Sequence, residues 1–130
     1  MNLLLASLPA ALAVVYLSKG PLAKAMAGEG RGYDNAAPRA QQARLEGWGA
    51  RALAAHQNGF EAFPAFGIAV LAAQVTVGPT SLTLGLAWSH VALRVLYVAL
   101  YLGNRPSMRS TVWGLGFCAT LALYVLALLA

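Results

Sequence analysis

Arg94 and Glu61 lie where an apolar chain tolerates charge least, each inside a long hydrophobic run. A charged side chain at the centre of a membrane-spanning helix costs on the order of 2.5–3.5 kcal/mol on insertion scales. Such a group must turn inward, toward a partner or a polar ligand. Arg94 stands ten residues before Asn104, about 15 Å along a helix at 1.5 Å per residue. That is too far for its guanidinium to snorkel to water. Around these two charges other polar groups fall into helical register. His90, Arg94, Tyr97 and Tyr101 recur at steps of four, three and four, which makes one stripe. Asn58 and Glu61 share a face, with Arg51 two turns earlier. Arg105, Arg109 and Trp113 repeat at steps of four, with Ser110 beside Arg109. Guanidinium, carboxylate, amide and phenol groups brought together from separate helices could bind a charged, polar molecule. The plainer alternatives are a structural Glu61–Arg94 ion pair, arginines that anchor a span, and Trp113 in an interfacial belt.

These residues are positioned by an all-α chain whose composition points to lipid. Hydrophobic residues make up 59% of the 130 and charged residues 10%, against about 25% charged in an average soluble domain. A single domain of this size has too much surface per volume to hide that apolar excess from water. Four apolar stretches read as spans at about 2–18, 48–77, 82–102 and 107–129, forming one four-helix membrane domain over residues 1–130. The first stretch is short, and Pro21-Leu22-Ala23 can lengthen its hydrophobic contact. It has no basic n-region, which argues against a signal peptide. Pro64 falls inside the second span, where membranes tolerate helical proline. Residues 19–47 read as a flexible cytoplasmic connection, and Gly78-Pro79-Thr80-Ser81 and Gly103-Asn104-Arg105-Pro106 as tight turns.

Charge asymmetry orients the bundle. Six of the nine basic residues (Lys19, Lys24, Arg31, Arg39, Arg44 and Arg51) belong to the first connection, and Arg105 and Arg109 to the third. The turn between spans two and three has none. Odd connections are therefore expected inside and both termini outside, periplasmic in a bacterial inner membrane. The net charge of +5 does not point to nucleic acid, because no basic-aromatic strip or zinc-finger spacing accompanies it. His56 faces away from Asn58, as a helix-packing residue does, and no metal-ligand spacing joins it. The single Cys118 reads as a small packing residue.

The segment Ala55-His56-Gln57-Asn58-Gly59-Phe60-Glu61-Ala62-Phe63-Pro64 resembles the signature of the MAPEG family, membrane-associated proteins in eicosanoid and glutathione metabolism. So do Arg94-Val95-Leu96-Tyr97-Val98-Ala99-Leu100-Tyr101 and Arg105-Pro106-Ser107-Met108-Arg109-Ser110. The loop Gly32-Tyr33-Asp34-Asn35 with Pro38-Arg39 looks like that of bacterial members, and the likeness covers nearly the whole chain. The resemblance implies a homotrimer in membrane lipid that binds glutathione between subunits near the cytoplasmic side. It further implies a transferase or peroxidase for lipophilic electrophiles. Asn58 and Glu61 would hold the tripeptide's polar groups, with Arg94, Tyr97, Tyr101, Arg105 and Arg51 as further binding candidates. Arg109 would stabilise the thiolate beside Ser110.

The chain departs from many catalytic members at Ala54, where they have arginine, and from some at Tyr97, where they have histidine. Where eicosanoid synthases have an arginine near the end of the first helix, only Lys19 or Lys24 is available. A non-catalytic membrane protein that binds a lipid or another thiol is therefore a second expectation. A transporter built on a buried Arg94–Glu61 pair is a third.

Overall fold

A computed structural model describes all 130 residues. Six helices follow one another: α1 (Leu3–Leu17), α2 (Lys19–Ala27), α3 (Pro38–Ala43), α4 (Gly47–Thr76), α5 (Ser81–Leu102) and α6 (Pro106–Leu129). Four helical segments are long and apolar enough to cross a membrane: Leu3–Ala27, Gly47–Thr76, Ser81–Leu102 and Pro106–Leu129. Leu71, Val75, Leu128 and many other large apolar side chains face outward. In water such a surface would drive aggregation; in a bilayer it meets acyl chains. The protein is an all-helical integral membrane protein.

The first span differs from the sequence expectation. The chain does not leave the helix at Ser18 for a loop beginning at residue 19 but stays helical through the nine residues of α2. Ser18 keeps αR geometry, its N–H bonds to the Val14 carbonyl, and its Oγ donates to the Val15 carbonyl at 2.6 Å. Pro21 falls in the first turn of α2, where proline is best tolerated. Leu22 and Met26 then bury themselves against Ala52 of α4. The remaining connection is pinned by the buried Gln41. Its Nε2 lies 3.0 Å from the Met26 carbonyl and 2.8 Å from that of Gly32, and its Oε1 accepts from the Asp34 N–H at 2.9 Å.

The helices form an antiparallel bundle. α4 and α5 pack on each other, with α1 against both on one side and α6 against both on the other. Gly59 lets α1 approach closely: a Cβ there would lie 3.3 Å from Val15 Cγ2. Hydrogen bonds across the bundle fix the register. His56 Nδ1 is 2.9 Å from Ser18 Oγ, Trp88 Nε1 donates to the Leu3 carbonyl at 3.1 Å, and the Tyr124 hydroxyl donates to the Ala65 carbonyl at 3.0 Å. Each gives a partner to an aromatic or heteroaromatic polar group that apolar surroundings would otherwise leave without one. His56 is thus a packing residue between α1 and α4.

Candidate functional site

The α4–α5–α6 side of the bundle is open. Because α5 and α6 are antiparallel, the Tyr101 end of α5 meets the Arg109 end of α6, and His90 meets Gly116 and Thr120. Between them runs a cleft of about 160 Å³ that Asn58, Glu61, Arg94 and Tyr97 line together with apolar residues of α6. A second cleft of about 250 Å³ is lined by Asn58, Tyr97, Tyr101, Arg109, Ser110 and Trp113. Asn58, Tyr97 and Trp113 belong to both. The two are therefore neighbouring parts of one groove, open and polar toward Arg109 and walled by apolar residues of α5 and α6 toward His90 and Thr120.

Along this groove two phenols stand between two cations, each cation over one ring. The Arg94 guanidinium carbon lies 4.4 Å from the centre of the Tyr97 ring, and Arg109 lies 4.2 Å from that of Tyr101. The two rings meet edge to face at 5.6 Å. Each cation over a ring contributes about 0.5–2 kcal/mol, the more so when water is excluded. The stack Arg94–Tyr97–Tyr101–Arg109 thereby ties α5 to the start of α6 and holds two positive charges at the groove without neutralising them.

Two buried polar atoms in the groove have no protein partner, Arg94 Nη2 and Asn58 Oδ1. Nearly all buried polar atoms in folded proteins are hydrogen-bonded, so these two mark where a ligand is to be sought. The Asn58 amide is oriented by its other end, since Nδ2 donates to Glu61 Oε2 at 3.1 Å. Glu61 is exposed and Arg94 is buried. The carboxylate is thus engaged by Asn58, while Arg94 Nη2 stays free for an acceptor that the chain does not provide. An acceptor for Arg94, a donor for Asn58 Oδ1 and a donor or cation for Glu61 describe a zwitterionic ligand bearing carboxylates and N–H groups.

Two candidates lie outside the groove lining. Arg105 is exposed in the turn before α6. Arg51, seven residues before Asn58, sits about 10 Å further along α4 by helical rise, with its Nε buried and unpartnered. Conversely, His90, Trp113, Gly116, Phe117 and Thr120 line the inner cleft although spacing alone gave them no site role. His90 had a legible signal, being one turn from Arg94 on the same stripe. Trp113 repeats in register with Arg105 and Arg109, but Gly116, Phe117 and Thr120 had no such signal, because only the crossing of α5 with α6 brings them to it.

A membrane-embedded helical bundle with a polar groove between its helices is the class that fold and geometry define. The sequence profile of the MAPEG family matches residues 3–129, and the chain belongs to that family of membrane glutathione-related transferases and peroxidases and eicosanoid enzymes. Neither the curated proteins nor the solved structures compared with the chain give a match.

Proposed function

We propose that the chain is a glutathione-dependent transferase or peroxidase that acts on lipophilic electrophiles from within the membrane. The observation that carries this reading is the pair of unpartnered buried atoms, Arg94 Nη2 and Asn58 Oδ1, in a groove that leads to Arg109 and Ser110. Glutathione fits this donor set. Its carboxylates suit Arg94, a backbone N–H suits Asn58 Oδ1, and its ammonium suits Glu61. Tyr97 and Tyr101 hold the two arginines at fixed heights along the groove.

The sulfur belongs beside Arg109 and Ser110. A free thiol titrates near pH 8.5, so on the order of 3% is thiolate at pH 7, and the thiolate is the nucleophile. Every 1.4 kcal/mol of net attraction to the thiolate raises its population about tenfold while it remains the minor form. Arg109 can supply that attraction and cannot lose its own proton, and the Ser110 hydroxyl can donate to the sulfur. The thiol proton goes to solvent at the groove mouth. In transfer the sulfur lone pair forms a C–S bond. The leaving group departs with its bonding pair, or the electrophile's π-bond breaks and its pair moves to the far atom, which takes a proton from water. In peroxide reduction the lone pair forms an S–O bond and the O–O bond breaks, its pair leaving on an alkoxide that takes a proton. The sulfur of a second thiol then displaces the sulfenic oxygen, which leaves as water with that thiol's proton, and the disulfide remains.

The active unit in this reading is a homotrimer. Both clefts open sideways at the bundle surface, so neither encloses a ligand as small-molecule sites usually do. A neighbouring copy packed across the opening would complete them and bury more of the outward apolar surface. The groove mouth and basic connections would face the cytoplasm.

Purified protein mixed with glutathione should develop the ultraviolet absorption of a bound thiolate, which Arg109→Ala should abolish. If no such band forms and glutathione gives no thermal stabilisation, the reading fails. The departure at Ala54, with Arg51 outside the groove lining, favours as a second reading a non-catalytic member binding a lipid or another thiol. In that case the band is absent and Arg109→Ala changes nothing.

A further inference from the structure

The end of the groove remote from Arg109 has a polar floor of its own. His90 is 4% exposed and lies flat on Phe66, with ring centres 4.0 Å apart and planes 4° from parallel. Its Nδ1 is 3.0 Å from the Gly116 carbonyl oxygen and 3.0 Å from Thr120 Oγ1. A carbonyl oxygen can only accept, so Nδ1 carries the ring proton; otherwise two lone pairs would face each other at 3.0 Å. The Thr120 hydroxyl donates to the same carbonyl at 3.2 Å, which leaves its oxygen free to share the Nδ1 proton. A neutral imidazole has one N–H, so Nε2 is left as a bare acceptor. The chain gives Nε2 no donor, yet it is not among the buried atoms closed off without a partner. It therefore keeps some open surface in the clefts that His90 lines, the inner end of the groove beside its Nδ1 partners and a narrower one against α1.

We propose that this inner end receives the distal part of the lipophilic second substrate and selects molecules with a hydrogen-bond donor there, a hydroxyl above all, which His90 Nε2 accepts. The proposal rests on the glutathione reading only for what happens at the reacting end. Distance excludes His90 as a base for the sulfur. It precedes Tyr101, the residue under Arg109, by eleven positions, about 16 Å along α5. His90 is a specificity-determining residue rather than a catalytic one.

The surroundings fit such a molecule. Leu93, Val112, Trp113 and Phe117 wall the cleft around the His90 floor. Trp113 and Phe117 are each 45% exposed and stacked at 5.5 Å on the outer face of α6. What lies against this end, whether acyl chains or the apolar surface of a neighbouring copy, is therefore apolar rather than water. A hydroxyl in hydrocarbon without a partner is strongly disfavoured, so a lone acceptor discriminates well there. A site shaped for a hydroxyl also discriminates against the analogue that lacks one.

The test needs no glutathione. The full chain in lipid nanodiscs is titrated with 4-heptylphenol and with its methyl ether, and binding is read as thermal stabilisation. The phenol is expected to bind about tenfold more tightly, the worth of one hydrogen bond. His90→Phe keeps the stack on Phe66 and leaves the Gly116 carbonyl to Thr120. It should bring the ratio to within about twofold and leave the methyl ether's affinity unchanged. Should that variant not fold, His90→Asn, which can still donate to Gly116 but has no atom at the Nε2 position, serves the same comparison. A ratio near one in the unaltered chain, a ratio that survives the substitution, or no stabilisation by either compound would overturn the proposal. A missing thiolate band would sink the glutathione reading and leave this ratio intact.

Discussion

Arg94 combines two costs that a merely structural residue would avoid. It is 7% exposed, and its Nη2 has no acceptor. Removing one member of a buried ion pair usually costs about 3–5 kcal/mol, because the other charge is stranded. The Glu61 carboxylate, however, is engaged by Asn58 and is exposed, so losing Arg94 strands nothing comparable. The loss is chiefly the contact with Tyr97, about 1 kcal/mol, against which the desolvation of a guanidinium is relieved. Arg94→Met is accordingly expected to melt within about 1 kcal/mol of the unaltered chain without ligand, and to lose all stabilisation by glutathione. Thermal melts in detergent, with and without glutathione, measure both quantities. A large loss in the ligand-free protein would restore the structural ion pair as the better account of Arg94.

At the scale of elements, small residues set how closely the helices approach, and two glycines of α4 separate contact from propensity. Gly59 faces α1, where a Cβ would crowd Val15 Cγ2 at 3.3 Å, whereas a Cβ on Gly67 meets only Leu8 Cδ2 at 3.9 Å. Gly67→Ala should stabilise by about 0.5–1 kcal/mol, the helix-propensity gain. Gly59→Leu should destabilise by about 1–3 kcal/mol, because α1 must move off α4 and loosen the Ser18–His56 bond. Equilibrium unfolding of the two variants side by side reads the difference, and equal effects would mean that α1 is loosely held. Helical period alone made the stripe from His90 to Tyr101 legible, as well as the shared face of Asn58 and Glu61, since both are properties of one helix. The continuation of α1 into α2 was not legible. Lys19-Gly20-Pro21 reads as a stop, and only the burial of Leu22 and Met26 against Ala52 overrides it. The inner floor was equally hidden, because Gly116 and Thr120 gain their meaning from the crossing of α6 with α5. Arg51 was placed on the right face by its period but two turns too far along α4 to line the groove.

For the whole molecule, the groove makes chemical sense in one orientation. If the thiol is glutathione, as proposed, it is a charged, water-borne molecule abundant in the reducing cytosol, and the groove's arginines are expected to open to that side. The distribution of charge agrees. Arg31, Arg39 and Arg44 lie in or beside the connection between the first two spans, and Arg105 and Arg109 at the Tyr101 end of the groove. The turn at Gly78–Thr80 carries no charge. Basic segments are retained on the cytoplasmic side during insertion. The only native thiol, Cys118, is exposed, so the test starts from Cys118→Ala. Gly30→Cys is placed where a Cβ meets nothing within 4 Å, and Pro79→Cys on the opposite turn, where Pro79 is exposed. In intact bacterial cells a membrane-impermeant maleimide should label Pro79→Cys and spare Gly30→Cys; inside-out vesicles should reverse the pattern. Labelling of Gly30→Cys from outside would put the arginine mouth on the side without cytosolic glutathione, and the proposed chemistry would lose its thiol.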